Sequence, residues 1–127
     1  GIPFAAAGPY DRIAARAWFA VDPALPGNRI ITDLRHAPRN ADGLVEFSAD
    51  VHVLKPRDPA KGNGAVFYEV SNRGRKGLLG TFCLGDAGFD PRLPGHFGDG
   101  FLLERGFTIF WMGWQFDVFV STGRTWT

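Results

Sequence analysis

Residues 44–55 constrain this chain more than any other stretch. Val45, Phe47, Ala49, Val51 and Val53 alternate with Glu46, Ser48, Asp50 and His52. Apolar residues at a strict period of two put one set of side chains on each side of an extended backbone. The pattern predicts a strand with the odd-numbered residues buried and Ser48, Asp50 and His52 on a solvated face. Pro56 ends it, because proline has no N–H to give to a ladder. A half-buried strand of this length requires partners, so the rest of the chain must supply a sheet.

Two further stretches answer that requirement. Residues 65–70, Ala-Val-Phe-Tyr-Glu-Val, are rich in β-branched and aromatic side chains, and residues 107–114, FTIFWMGW, are similar. Both carry apolar residues at odd and even positions, which predicts interior strands covered on both faces. Between them residues 78–98 are irregular. Asp99 then reads as an N-cap, 101–105 as a short helix and Gly106 as its C′ residue. Strand, helix-bearing crossover and strand predict a βαβ unit with parallel strands. Upstream, residues 12–21 alternate, with Ile13, Ala15, Ala17, Phe19 and Val21 on one face, and predict another strand. Residues 30–34 fit a strand or a single turn, and 38–43 a loop. The expected fold class is α/β: antiparallel N-terminal strands followed by one βαβ unit, β-rich overall.

Composition limits function. At 127 residues the chain is one domain or the N-terminal fragment of a larger one, and 45% hydrophobic with 21% charged residues is a folding composition. A formal net charge of +1 gives no electrostatic case for nucleic acid. No apolar run reaches the ~18 residues of a membrane span. The single Cys83 cannot form an internal disulfide, and His36, His52 and His96 lack metal-ligand spacing. Neither a metal nor a cofactor is expected.

The chemistry-bearing candidate is the loop after residues 65–70. Ser71-Asn72-Arg73-Gly74 follows a buried strand directly, which is where open sheets place ligands. Its backbone N–H groups, from Asn72, Arg73 and Gly74, are oxyanion-loop candidates. Arg75, Lys76 and Trp114 are candidates for contacting a substrate. The bland alternative for Arg73, Arg75 and Lys76 is a solvated basic turn, and for the tryptophans a place in the core. Ser48, Asp50 and His52 superficially spell a triad, but residues two apart on a strand stand ~6.5–7 Å apart, beyond hydrogen-bond reach. Gly62-Asn63-Gly64 precedes a strand, whereas a dinucleotide loop follows one. Ser121, in FVSTG, lacks the first glycine of Gly-x-Ser-x-Gly.

Four blocks, GPYDRI, APRNADGLVEFSADVHVLKP, YEVSNRGRKG and LLERGFTIFWMGWQ, together resemble the N-terminal part of a bacterial α/β-hydrolase-domain family. Its members look like serine hydrolases of the esterase type, more distantly similar to the esterases and peptidases related to cocaine esterase. The resemblance runs from about Gly8 to about Gln115. It implies that 44–55 is an early antiparallel strand, that Glu69 lies in the strand before an oxyanion loop at 71–74, and that Arg105-Gly106 leads into the next strand. It also implies a small-molecule ester or amide as substrate. The nucleophile elbow, acid and histidine of such enzymes lie farther along, so the triad is not expected in this chain, which would be inactive alone. The tail from Phe116 departs from the family's pattern. A fragment of this kind is expected to self-associate, with 107–114 uncovered unless residues 116–126 fold back over it. The alternative function is a non-enzymatic β-rich module binding a sugar or an acidic ligand through exposed aromatics and Arg73 or Arg75.

Overall fold

Extended segments form where the alternating and β-branched runs lie. The computed structural model describes residues 3–86, 88 and 90–115. Its strands are β1 (Pro3–Phe4), β2 (Gly8–Val21), β3 (Val45–Pro56), β4 (Val66–Glu69) and β5 (Thr108–Met112). They make one mixed sheet in the order β1-β2-β3-β5-β4. β3 is antiparallel to β5, and β4 is parallel to β5. Between β4 and β5 lie three short helices, α1 (Gly77–Cys83), α2 (Pro94–Phe97) and α3 (Phe101–Glu104). The expected α/β class is thereby corrected. The described chain is a β-rich five-stranded mixed sheet, and its helices, of seven, four and four residues, are too short to form layers on both faces. Gly85 follows α1, Gly98 caps α2 and Gly106 follows α3, so each helix stops within two turns.

By contact density the chain forms two compact units: residues up to Ala15 with those from Asp50 onward, and residues 16–49. In the smaller unit the rings of Phe19 and Phe47 stack 5.0 Å apart. There, 30–34 is turns leading into a 3₁₀ turn at Leu34–His36, not a strand.

The larger unit holds the core. Leu54, Ile109 and Trp111 from the sheet pack with Leu78, Leu79 and Cys83 of α1 and Leu102 and Leu103 of α3, all buried. Burying each large apolar side chain contributes ~1.5–3 kcal/mol. The Tyr10 hydroxyl lies 2.9 Å from the carbonyl oxygens of Leu103 and Phe107 and donates to them, tying β2 to the end of α3. Burial pushes its phenol up to about 12. Asp99 Oδ1 accepts the Phe101 N–H at 3.0 Å, and Gly106, at φ 73°, turns the chain out of α3. A Cβ there would stand 2.5 Å from the Lys61 carbonyl oxygen, so only glycine fits.

Three burial expectations need correction. On β3, Val45 is buried as expected, but the other buried residues are His52, Leu54 and Pro56, while Val51 and Val53 are half-buried and Phe47 is 49% exposed. The face is inverted past Asp50, because the helices fold against the even-numbered side. Secondly, β4 is not interior: it is the sheet's edge among the described residues, with Val66 64% and Val70 63% exposed. Thirdly, β5 is not the uncovered strand. It lies between β3 and β4, and Ile109 and Trp111 are fully buried. Ser121 and the tail 116–126 lie outside the described residues.

Candidate functional site

Register brings one row of polar side chains together. Trp111 is the partner of His52 on one side and of Glu69 on the other. Strands are ~4.8 Å apart, so the row crosses three strands in ~10 Å on the covered face. Glu69 Oε2 accepts the Trp111 indole N–H at 2.5 Å and the backbone N–H of Leu78, at the start of α1, at 3.0 Å. The carboxylate therefore fixes the end of β4, the middle of β5 and the entry of α1 to one another. A Cβ on Gly77 would meet Glu69 Oε1 at 3.3 Å, so the small residue lets α1 begin close to the carboxylate.

Lys76 lies over the Trp111 ring, its Nζ 5.7 Å from the centroid, and is fully buried. It is therefore not part of the exposed basic turn that Arg73 and Arg75 form. Burial lowers its ammonium to about 8, against the opposing pull of Asp90 and Glu69. His52 is 1% exposed and its ring centroid is 5.6 Å from that of Trp111. Burial, then the charges of Lys76 and Arg12, push it down to about 4. Both its ring nitrogens lack a hydrogen-bond partner among the described residues, as does the Oγ of Ser71, which is 2% exposed. A buried polar atom without a partner costs ~1–3 kcal/mol, so these groups do not hold the fold together through hydrogen bonds.

The loop after β4 is a tight turn. Arg73 and Gly74 have positive φ values of 50° and 76°, and the Arg75 N–H returns to the Asn72 carbonyl at 3.2 Å. Two central residues at positive φ are the signature of a type I′ turn. Gly74 adopts that conformation freely; Arg73 does so at a cost of about 1–2 kcal/mol. Two contacts hold it. The Trp114 indole N–H donates to the Ser71 carbonyl at 2.6 Å, and the Arg73 N–H donates to Gln115 Oε1 at 2.6 Å. Asn72, Arg73 and Arg75 are exposed, and Trp114 is 57% exposed.

No family model, curated protein or solved structure matches this chain. No group of three or more His, Cys, Asp or Glu among the described residues could hold a metal ion, and no helix among them is long and apolar enough to cross a membrane.

The turn expected after residues 65–70 is present at 72–75, though it follows an edge strand, and Trp114 and Glu69 lie against its two ends. His52 was misplaced on a solvated face. The signal that locates it is parity: Leu54 and Pro56 follow it on the same side of the strand, and both are apolar. Ser48 is exposed while His52 is buried, so the Ser48-Asp50-His52 pattern makes no relay. Cys83 is buried, and burial raises its thiol pKa, away from the reactive thiolate.

Proposed function

We propose that this chain supplies the oxyanion loop and part of the substrate pocket of a serine hydrolase acting on a small ester or amide. The observation that carries the reading is the strained turn at the end of β4. Its Arg73 N–H already meets an oxygen, the Gln115 amide Oε1, at 2.6 Å. That amide oxygen stands in for an acyl oxygen held against the loop. Positive φ at a non-glycine residue is retained where the surrounding structure over-determines it, as Trp114, Gln115 and Glu69 do here.

In acyl transfer the serine Oγ bonds to the carbonyl carbon and negative charge develops on the carbonyl oxygen. Backbone N–H groups fixed at ~2.7–3.1 Å from that oxygen stabilise it without reorganising, and one such donor is worth ~2.7–4 kcal/mol. Asn72, Arg73 and Gly74 provide the donors, and exposed Arg75 and Trp114 flank the substrate. Lys76 acts from beneath, steadying the Trp111–Glu69 pair that anchors the loop. The nucleophile and its base come from outside the described residues.

The test has two arms. This chain alone shows no stoichiometric labelling by a fluorophosphonate probe; labelling of Ser48, Ser71 or Ser121 would overturn the division of labour. In a polypeptide that carries the nucleophile, Gly74→Val lowers kcat more than it raises KM, because the loop acts on the transition state. A change in KM alone would reassign the loop to ground-state binding.

A further inference from the structure

Beside the polar row is a cavity of about 210 Å³ that the oxyanion-loop reading does not use. Phe4, Tyr10, Leu54 and Phe97 wall it with apolar surface, and Arg12 and Arg92 also line it. Leu54, which lines it, shares the covered face of β3 with His52 two residues earlier.

The charges are unbalanced there. Arg12 Nη1 lies 2.7 Å from Asp90 Oδ1, and Arg92 Nη2 lies 2.5 Å from Asp90 Oδ2. One carboxylate thus serves two guanidinium groups, each of which carries five N–H donors. Burial raises the Asp90 pKa, but the Arg92 hydrogen bond and the Arg12 charge outweigh it and hold the carboxyl below its usual range. Asp90 is therefore a full anion, and the pair of arginines still exceeds it by one positive charge. Lys76 adds to the same field, since its charge and those of Arg12 and Arg92 all oppose protonation of His52. Glu69 offsets the charge of Lys76, whose ammonium it favours, so the surplus stays with the two arginines.

We propose that this cavity binds the carboxylate of a small apolar acid, with Arg12 and Arg92 holding the carboxylate and the apolar walls taking its body. A planar guanidinium fork matches a carboxylate, and a surplus of one charge matches a monoanion. A volume of 210 Å³ is about seven waters' worth of space at ~30 Å³ each, enough for a six-carbon chain. None of residues 72–75 lines the cavity, so the site stands whether or not the loop serves a hydrolase.

Amide-resolved NMR titration of the whole chain with hexanoate tests this, with hexan-1-ol and inorganic phosphate as the comparison probes. Hexanoate should give saturable shifts at Arg12, Leu54 and Phe97 with a Kd of about 1 mM or tighter. Hexan-1-ol, and hexanoate with Arg92→Gln, should bind about tenfold or more weakly. The Arg92 side chain is 64% exposed, so that variant leaves the core intact. Absence of saturation, equal binding of hexan-1-ol, or phosphate displacing hexanoate at equal concentration would each overturn the proposal.

Discussion

The two faces of the larger unit's sheet differ in a way their chemistry does not foretell. The covered face carries Leu54, Ile109 and Trp111, yet it also buries His52 and half-buries Glu69, with Lys76 laid upon it. The opposite face carries Val51, Val53, Val66, Tyr68, Phe110 and Met112 beside Lys55 and Thr108, all half-buried or exposed. A largely apolar face is thus the less covered one. Burial followed the three short helices, which pack where α1 and α3 can place their leucines. Of the polar groups beneath them, Glu69 is satisfied by Trp111 and the entry of α1, whereas the His52 ring is not hydrogen-bonded among the described residues.

The sharpest way to break this comparison is to truncate one aromatic on each face. Trp111→Ala should cost ~3–5 kcal/mol, because the ring is fully buried and its loss also removes the indole N–H that Glu69 accepts and the ring beneath Lys76. Tyr68, 45% exposed and only tilted against Phe110, should cost ~1 kcal/mol when changed to Ala. Urea unfolding of both variants measures the difference; equal costs would mean that the two faces are equally covered.

A second effect is smaller and depends on pH. His52 is held at about 4 in the fold against 6.5 in the unfolded chain, so between those values the unfolded state binds more protons. The contribution is complete above pH 6.5 and is lost as pH falls from 6.5 towards 4. At ~1.4 kcal/mol per pH unit the loss amounts to about 3 kcal/mol. His52→Leu should remove that part of the pH dependence. An unchanged stability-versus-pH profile in the variant would place the titration elsewhere.

The smallest effect on folding is expected at the open edge, where the consequence is association instead. Among the described residues β4 is an edge strand whose outer backbone groups lie beside exposed Val66 and Tyr68, with no lysine or proline in the strand. The 127-residue chain should therefore self-associate, and Val66→Lys should shift it towards monomer while changing folding stability by no more than ~0.5 kcal/mol. Sedimentation equilibrium across a dilution series measures this. A single monomeric species at every concentration would show that the edge is closed.

The sequence by itself determined the strands at 45–56, 66–69 and 108–112, the short helix after Asp99, the glycine that ends it and the turn at Asn72–Arg75. All of these are local: period two, β-branched runs and positive-φ residues act over a few neighbours, although the helix is capped by Gly100 and not by Asp99. Only the tertiary structure decided which face of β3 is covered, that β4 is an edge, that β5 is central, and that His52, Trp111 and Glu69 form one row. Those outcomes depend on strand order and on where the crossover helices pack. Side chains 42 residues apart, such as Glu69 and Trp111, meet only through that order. An alternating strand states that its two faces differ. Which of them is buried depends on segments elsewhere in the chain.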